Sequence, residues 1–222
     1  LAAAAQDAVG LKTIIADRVG FDFDQQAPSE TEVVDAAGRV SREGKGASVR
    51  LLDRVLLRHC IWAGIELARE RRFPLQVHVG YGDPDLTLHL TNPSLLTPLL
   101  RSTAGSGVNV VLLHCYPYQR EAAYLAAVFP HVYLDVGLAI NYTGPSSARV
   151  IAESMELAPF SKVLYSSDAF GLAELFYLGA LLFRAGLGAT LDSWIGADHC
   201  SPAEAEKIAR LAEAGIEVAE EI

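Results

Sequence analysis

Two periodicities alternate along this 222-residue chain. Short apolar runs rich in β-branched residues fit buried strands, and each is followed by a longer stretch in which apolar positions return every three to four residues, the spacing of a helix. The first run, Val9-Gly-Leu-Lys-Thr-Ile-Ile-Ala16, reads as a buried strand carrying one charge, Lys12. Residues 21 to about 46 are polar, with Pro28, several glycines and several acids, and read as a loop or a small exposed helical excursion. Ser48 is placed to cap a helix from Val49 to Arg72, in which Leu51, Leu52, Val55, Leu56, Ile61, Ile65 and Leu67 keep helical spacing. After Pro74 comes a strand, Leu75-Gln-Val-His-Val-Gly80, and Asn92-Pro93 then opens a helix.

The alternation continues to the end of the chain. Val108 to Cys115 predicts a strand, Gln119 to Phe129 a helix, and Val132 to Val136 a strand. Gly144-Pro145-Ser146 leads into a helix to about Leu157, Lys162 to Ser167 is a strand, and Leu172 to Leu187 is a helix apolar on most faces. Ser201-Pro202-Ala203-Glu204 has the form of a capping box and opens an amphipathic helix over residues 201–222.

Strand–helix units in series imply an α/β fold with a parallel sheet. A doubly wound nucleotide-binding sheet calls for a glycine-rich turn after its first strand, and Asp17-Arg18-Val19-Gly20 stands there instead. The better match is a partial TIM (β/α)8 barrel, about strands 4 to 8 with their helices, because polar residues fall at the carboxyl ends of several different strands. The only methionine is Met155, so Leu1 is not read as a translation start, and residues 1–222 are expected to be the C-terminal portion of a barrel whose first strands lie upstream. An open-edged barrel exposes apolar surface, so either that upstream segment or a second copy of the chain is expected to cover it.

Three of those strand-end residues are metal-competent: His78, His114 and Asp168. Zinc and similar divalent metals are held by neutral imidazole nitrogens and carboxylate oxygens, with one position left for water in a catalytic site. Singly each residue has a plainer reading, a hydrogen-bonded core histidine or a helix cap. Together, spaced by one and then two strand–helix units, they point to a metal site, with Asp168 able to take a proton from the water and return it to a leaving group. Lys12, in a strand expected to be buried, is a candidate for a functional role, binding a substrate carboxylate together with Arg18. Tyr81, Asp83, Tyr116 and Tyr118 follow the ligand strands and are expected at the mouth of the pocket. His59, His89, His131 and His199 read as structural or solvent-facing.

Charge narrows the partners. A formal charge of -9 argues against a nucleic-acid backbone or an anionic membrane and leaves a small-molecule substrate. No apolar run is read as membrane-spanning and residues 1–7 lack a basic signal-peptide region, so the protein is expected in the cytoplasm. Cys60, Cys115 and Cys200 are expected to be buried free thiols, and an extended strand should turn Cys115 away from the side of His114.

Gln76-Val-His-Val-Gly-Tyr-Gly-Asp83, Val111-Leu-Leu-His-Cys-Tyr-Pro-Tyr118, Val132-Tyr-Leu-Asp-Val-Gly-Leu-Ala139 and Val163-Leu-Tyr-Ser-Ser-Asp-Ala-Phe170 resemble the amidohydrolase superfamily. More narrowly they resemble the amidohydrolase 2 branch, found alone or fused ahead of a glutamine-synthetase-like domain. Gly10-Leu-Lys-Thr-Ile-Ile-Ala-Asp-Arg18 and Asn92-Pro93 share the likeness, which weakens after Gly186. The resemblance implies a divalent metal, zinc with manganese as the alternative, held by His78 on the fifth strand and Asp168 on the eighth. It implies that His114 on the sixth binds a second metal or orients substrate and water, and that Lys12 on the fourth is a candidate to bridge two metals as a carboxylated lysine. The family's first-strand His-x-His pair is absent from this chain. The implied activity is hydrolysis of a carbon–nitrogen bond in a small-molecule amide, with a γ-glutamyl amide as one substrate class. The alternatives are non-hydrolytic decarboxylation on the same scaffold and an inactive barrel remnant that serves assembly.

Overall fold

The computed structural model describes residues 3, 5–43, 51–84 and 86–220. Among them, five strands pair in parallel and in chain order: β1 (Leu11–Thr13), β2 (Leu75–Val79), β3 (Val110–His114), β4 (Val132–Asp135) and β5 (Val163–Leu164). Helices α1 (Ala16–Val19), α2 (Glu30–Glu43) and α3 (Arg54–Arg71) separate β1 from β2, and α4 (Thr97–Thr103) precedes β3. Next come α5 (Gln119–Val128) before β4, α6 (Gly137–Thr143) and α7 (Ser147–Ser154) before β5, and α8 (Ala173–Gly196) and α9 (Pro202–Glu220) after it. A doubly wound sheet reverses its strand order at a switch point, and this one does not.

Strand side chains alternate between two faces, and the two rows have different fates. Leu75, Val77, Val110, Leu112, Val132, Leu134 and Val163 are buried in the core beneath the helices. In the other row Lys12, Gln76, Val111 and Tyr133 pair side by side and line a concave cleft of about 910 Å³. That face is the inner wall of a TIM barrel, five of whose strands are present. The expected strand over residues 9–16 shortens to Leu11–Thr13, and the one over 162–167 to Val163–Leu164. Lys12 is therefore not the buried lysine that its apolar neighbours suggest. Its side chain is 40% exposed on the open concave face.

Several helix boundaries also differ from expectation. Ser48 and the residues through Arg50 lie outside the described residues; the long helix begins at Arg54, and Asp53 caps it, its Oδ1 accepting from Val55 N at 2.9 Å and Leu56 N at 3.1 Å. Within the polar segment the helical excursion is the reading realised, as α2. Ser29 and Glu32 form a capping box there, with Ser29 N–H donating to Glu32 Oε2 at 2.8 Å and Glu32 N–H to Ser29 Oγ at 3.3 Å. Buried Arg58 ties this segment to α3 through ion pairs with Asp24 and Glu32. Helix α6, directly after β4, was not expected at all.

Helix α8 runs on past Leu187 to Gly196 and, contrary to the sequence reading, is long and apolar enough to cross a membrane by length and composition. It packs along α6 and α7 as one of the barrel's outer helices, with the Phe183 ring stacked on Tyr165 at 4.5 Å. Of the free cysteines only Cys115 is buried; Cys60 lies on an exposed turn of α3, and Cys200, in the bend between α8 and α9, is intermediate and packs against the edge of the core.

The Asp53 cap satisfies two helix N–H groups, and Asp53→Ala is expected to lower stability by about 1 kcal/mol while Asp53→Asn costs only tenths. Chemical denaturation of the three proteins checks this; equal losses for both variants would contradict it.

Candidate functional site

Parallel register brings the strand ends to one rim. Val79 of β2 pairs with His114 of β3, so His78 sits one residue short of the edge that His114 terminates. Asp135 ends β4, and Asp168 lies just beyond β5. The rings of His78 and His114 meet edge to face at a centroid distance of 4.7 Å. His114 Nε2 is 3.8 Å from Asp168 Oδ2, and Lys12 Nζ is 3.7 Å from Asp168 Oδ1. The structure thus assembles His78, His114, Asp168 and Lys12 into one cluster.

The two histidines differ in state. The His114 side chain is 1% exposed, and neither ring nitrogen has a hydrogen-bond partner among the described residues. Burial, and then the nearby His78 and Lys12 charges, hold its pKa well below the usual imidazole value, so the ring is neutral. His78 Nε2 lies 3.0 Å from the Tyr81 carbonyl oxygen, which can only accept, so Nε2 carries a proton and donates it there. Buried Asp17 flanks the same nitrogen at 3.9 Å. Gly82 completes this enclosure; a Cβ there would come within 2.7 Å of His78 Nε2.

Left-handed backbone marks the rim. His114 has φ of 70°, Cys115 of 60° and Asp168 of 46°, a region that costs non-glycine residues energy and that clusters at functional sites. This turn, rather than the expected extended alternation, sends Cys115 into the core. Its thiol donates to Leu112 O at 3.2 Å, and burial pushes its pKa well above normal, so it is no nucleophile.

The other expected residues divide. Tyr81 and Tyr116 meet edge to face at 5.7 Å, and exposed Tyr142 of α6, which the sequence reading passed over, meets Tyr81 at 5.9 Å; none of the three lines the cleft. Tyr118 instead fastens a loop, donating to Leu88 O at 3.0 Å. Arg18 sits half-buried in α1 and Asp83 is exposed; neither is among the residues lining the cleft. His131 bonds Thr103 at 3.2 Å, while His59, His89 and His199 are exposed. Asp17 and Asp135 were also missed. Asp135 ends an apolar run, Val132-Tyr-Leu-Asp135, just as His114 does, so the same strand-end rule applied evenly would have found it.

The donor chemistry fits a divalent metal: a neutral imidazole with an open Nε2 beside a carboxylate. The number of donors does not make a full site. Among the described residues no group of three His, Cys, Asp or Glu side chains is poised around one point.

A parallel barrel wall with histidines and acids on its carboxyl rim defines a class, the barrel enzymes of the amidohydrolase type. The chain belongs to the amidohydrolase family: the profile of its Amidohydro_2 branch, described as Amidohydrolase, matches residues 29–212. That span starts after β1, so the likeness of residues 10–18 lies outside it. Protein fluG of Emericella nidulans is 33% identical over 187 residues, 81% of this chain and 21% of that protein. The crystal structure of a protein designated a metal-dependent hydrolase, from Lactobacillus casei, superimposes with a TM-score of 0.83 at 34% identity, covering 92% of this chain and 52% of that one. The glucuronate isomerase of Caulobacter crescentus shares the fold alone, with a TM-score of 0.68 at 16% identity over 94% of this chain and 46% of the isomerase. The chain thus spans about a fifth of the fungal protein and about half of the bacterial ones.

His114 and His131 are both held by burial below the ordinary imidazole value of 6.5. Each takes up a proton on unfolding in acid, so their stabilisation is complete above about pH 6.5 and is lost as pH falls. Urea unfolding of the metal-free protein is expected to show stability declining from about pH 7 to about pH 5.5, with a shallower decline in His131→Gln. An unchanged slope in that variant would contradict the assignment for His131.

Proposed function

We propose that this chain carries the substrate-facing half of a metal-dependent hydrolase that cleaves a carbon–nitrogen bond in a small-molecule amide. The observation that supports it most is the neutral, buried His114 with its unpartnered Nε2 3.8 Å from Asp168. The family membership and the designation of the Lactobacillus casei relative agree with it. His114 and Asp168 would hold the metal, with His78 beside them. The remaining ligands would come from barrel strands beyond these five or from a second chain, which would also cover the open cleft. Zinc is the proposed metal. A bound divalent metal supplies a Lewis acid that lowers the pKa of its water from about 15.7 to about 7.

The chain's own groups do the rest. Asp168, 37% exposed at the rim, receives the proton of the attacking water and delivers it to the leaving nitrogen. Lys12 orients that carboxylate through its 3.7 Å contact and stands ready to bind a carboxylate of the substrate, a role that Arg18, outside the cleft lining, does not share. A substrate with a free carboxylate, such as a γ-glutamyl amide, suits this cation beside the acid. Tyr81, Tyr116 and Tyr142 pack edge to face with one another outside the cleft lining and would border its mouth. Free cysteines throughout suit the reducing cytoplasm, which is the proposed location.

Elemental analysis of the natural full-length protein, followed by an amide-hydrolysis screen, tests this reading. It should retain a divalent metal, and His114→Ala and Asp168→Asn should each lower hydrolysis about 100-fold or more while His131→Gln does not. A metal-free, inactive protein would instead favour the assembly role.

A further inference from the structure

Asp135 has no role in the reading above, yet it is the most tightly held acid at the rim. Its residue exposure is 2%. Its Oδ1 accepts from His114 N–H at 2.8 Å and from Gly137 N–H at 3.1 Å, and the Ser166 hydroxyl also donates to the carboxylate. One side chain therefore ties the end of β3, the turn from β4 into α6 and the segment after β5. The turn has no slack: a Cβ on Gly137 would come within 2.0 Å of Ser166 O.

The backbone bonds alone do not call for a charge. An asparagine amide oxygen accepts from the same two N–H groups without the cost of burying an ion, which in proteins amounts to several kcal/mol. What a carboxylate adds is a negative field at the His114 ring, whose Nδ1 lies 3.9 Å from Asp135 Oδ1. This is beyond hydrogen-bond reach and acts through space. On the ring's far side Nε2 faces Asp168 Oδ2 at 3.8 Å.

The neutral ring has one N–H proton and two acids competing for it. Asp168 is 37% exposed and faces the Lys12 ammonium, so its field is screened by water and partly cancelled. Asp135 is enclosed, where the effective dielectric is lower and a charge at equal distance weighs several times more. The proton should sit on Nδ1. Nε2 then presents its lone pair to the cleft.

We propose that Asp135 is a positioning residue: it pins His114 in its left-handed turn and fixes the ring as the Nδ1–H tautomer, leaving Nε2 free as a ligand or acceptor beside Asp168. The use of that nitrogen rests on the hydrolase reading, whereas the tautomer can be read without metal or substrate. A wrong tautomer and a failed hydrolysis screen are therefore separate outcomes.

Long-range ¹H–¹⁵N correlation spectra of the metal-free protein, with His114 assigned through His114→Gln, test this directly. Wild type should show the Nδ1–H form, Asp168→Asn should keep it, and Asp135→Asn should shift the population toward Nε2–H. Zinc titration should show affinity reduced about 10-fold in Asp135→Asn, the low end for a carboxylate behind a histidine ligand, because this one does not hydrogen-bond the ring. An Nε2–H form in wild type, or an Nδ1–H form that persists in folded Asp135→Asn, overturns the proposal. Should Asp135→Asn fail to fold, the wild-type and Asp168→Asn spectra still decide it, since a flip in Asp168→Asn would give control to the wrong acid.

Discussion

Five residue pairs hold β2 in parallel register against β3, and the positions of the strand-end side chains follow from that pairing. Because all strands run the same way, their carboxyl ends share one edge, and residues distant in sequence become neighbours there. The register is enforced by packing. Leu75, Val77, Leu112 and Leu134 fill the layer beneath the helices, and a slip of one residue would turn them into the cleft and drive Lys12, Gln76 and Tyr133 into the core. Burying a lysine and exposing a row of leucines and valines is a penalty that no loop rearrangement offsets.

Geometry at the rim is obtained at some cost in stability. His114, at the end of β3, and Asp168, four residues beyond β5, both adopt left-handed conformation, and His114 and Asp135 are both buried polar groups. A fold optimised only for stability would put glycine at such turns and apolar residues at such depths. The structure instead holds the His114 turn with a carboxylate that satisfies its N–H, so the strain is supported by a bond that also bears on the chemistry of the ring.

The uncovered wall gives the molecule its asymmetry. Burial is complete beneath the helices and partial on the concave side, where Phe176 of α8 joins the cleft lining and its neighbour Tyr177 is exposed. The Lactobacillus casei relative, matched over about half its length, offers a scale for what a complete barrel of this kind contains. Completion of the site and covering of that wall are, on the proposal made above, the same event.

The sequence by itself determined the class of the fold and half of its site. Strand–helix alternation follows from local periodicity, and a polar residue closing an apolar run is visible without coordinates, which is how His78, His114 and Asp168 were found. The same rule, unevenly applied, passed over Asp135, and the Ser29–Glu32 capping box that announces α2 was legible but unread. Other features were not in the sequence at all. Whether Lys12 is buried depends on what stands across the barrel from it, and whether His78 offers its Nε2 depends on the Tyr81 carbonyl that its own loop folds back. The left-handed turn at His114 is held by a hydrogen bond to a residue on the next strand. Periodicity is a property of neighbours along the chain; dielectric, tautomer and ligand number are properties of neighbours in space, and only the tertiary structure decides those.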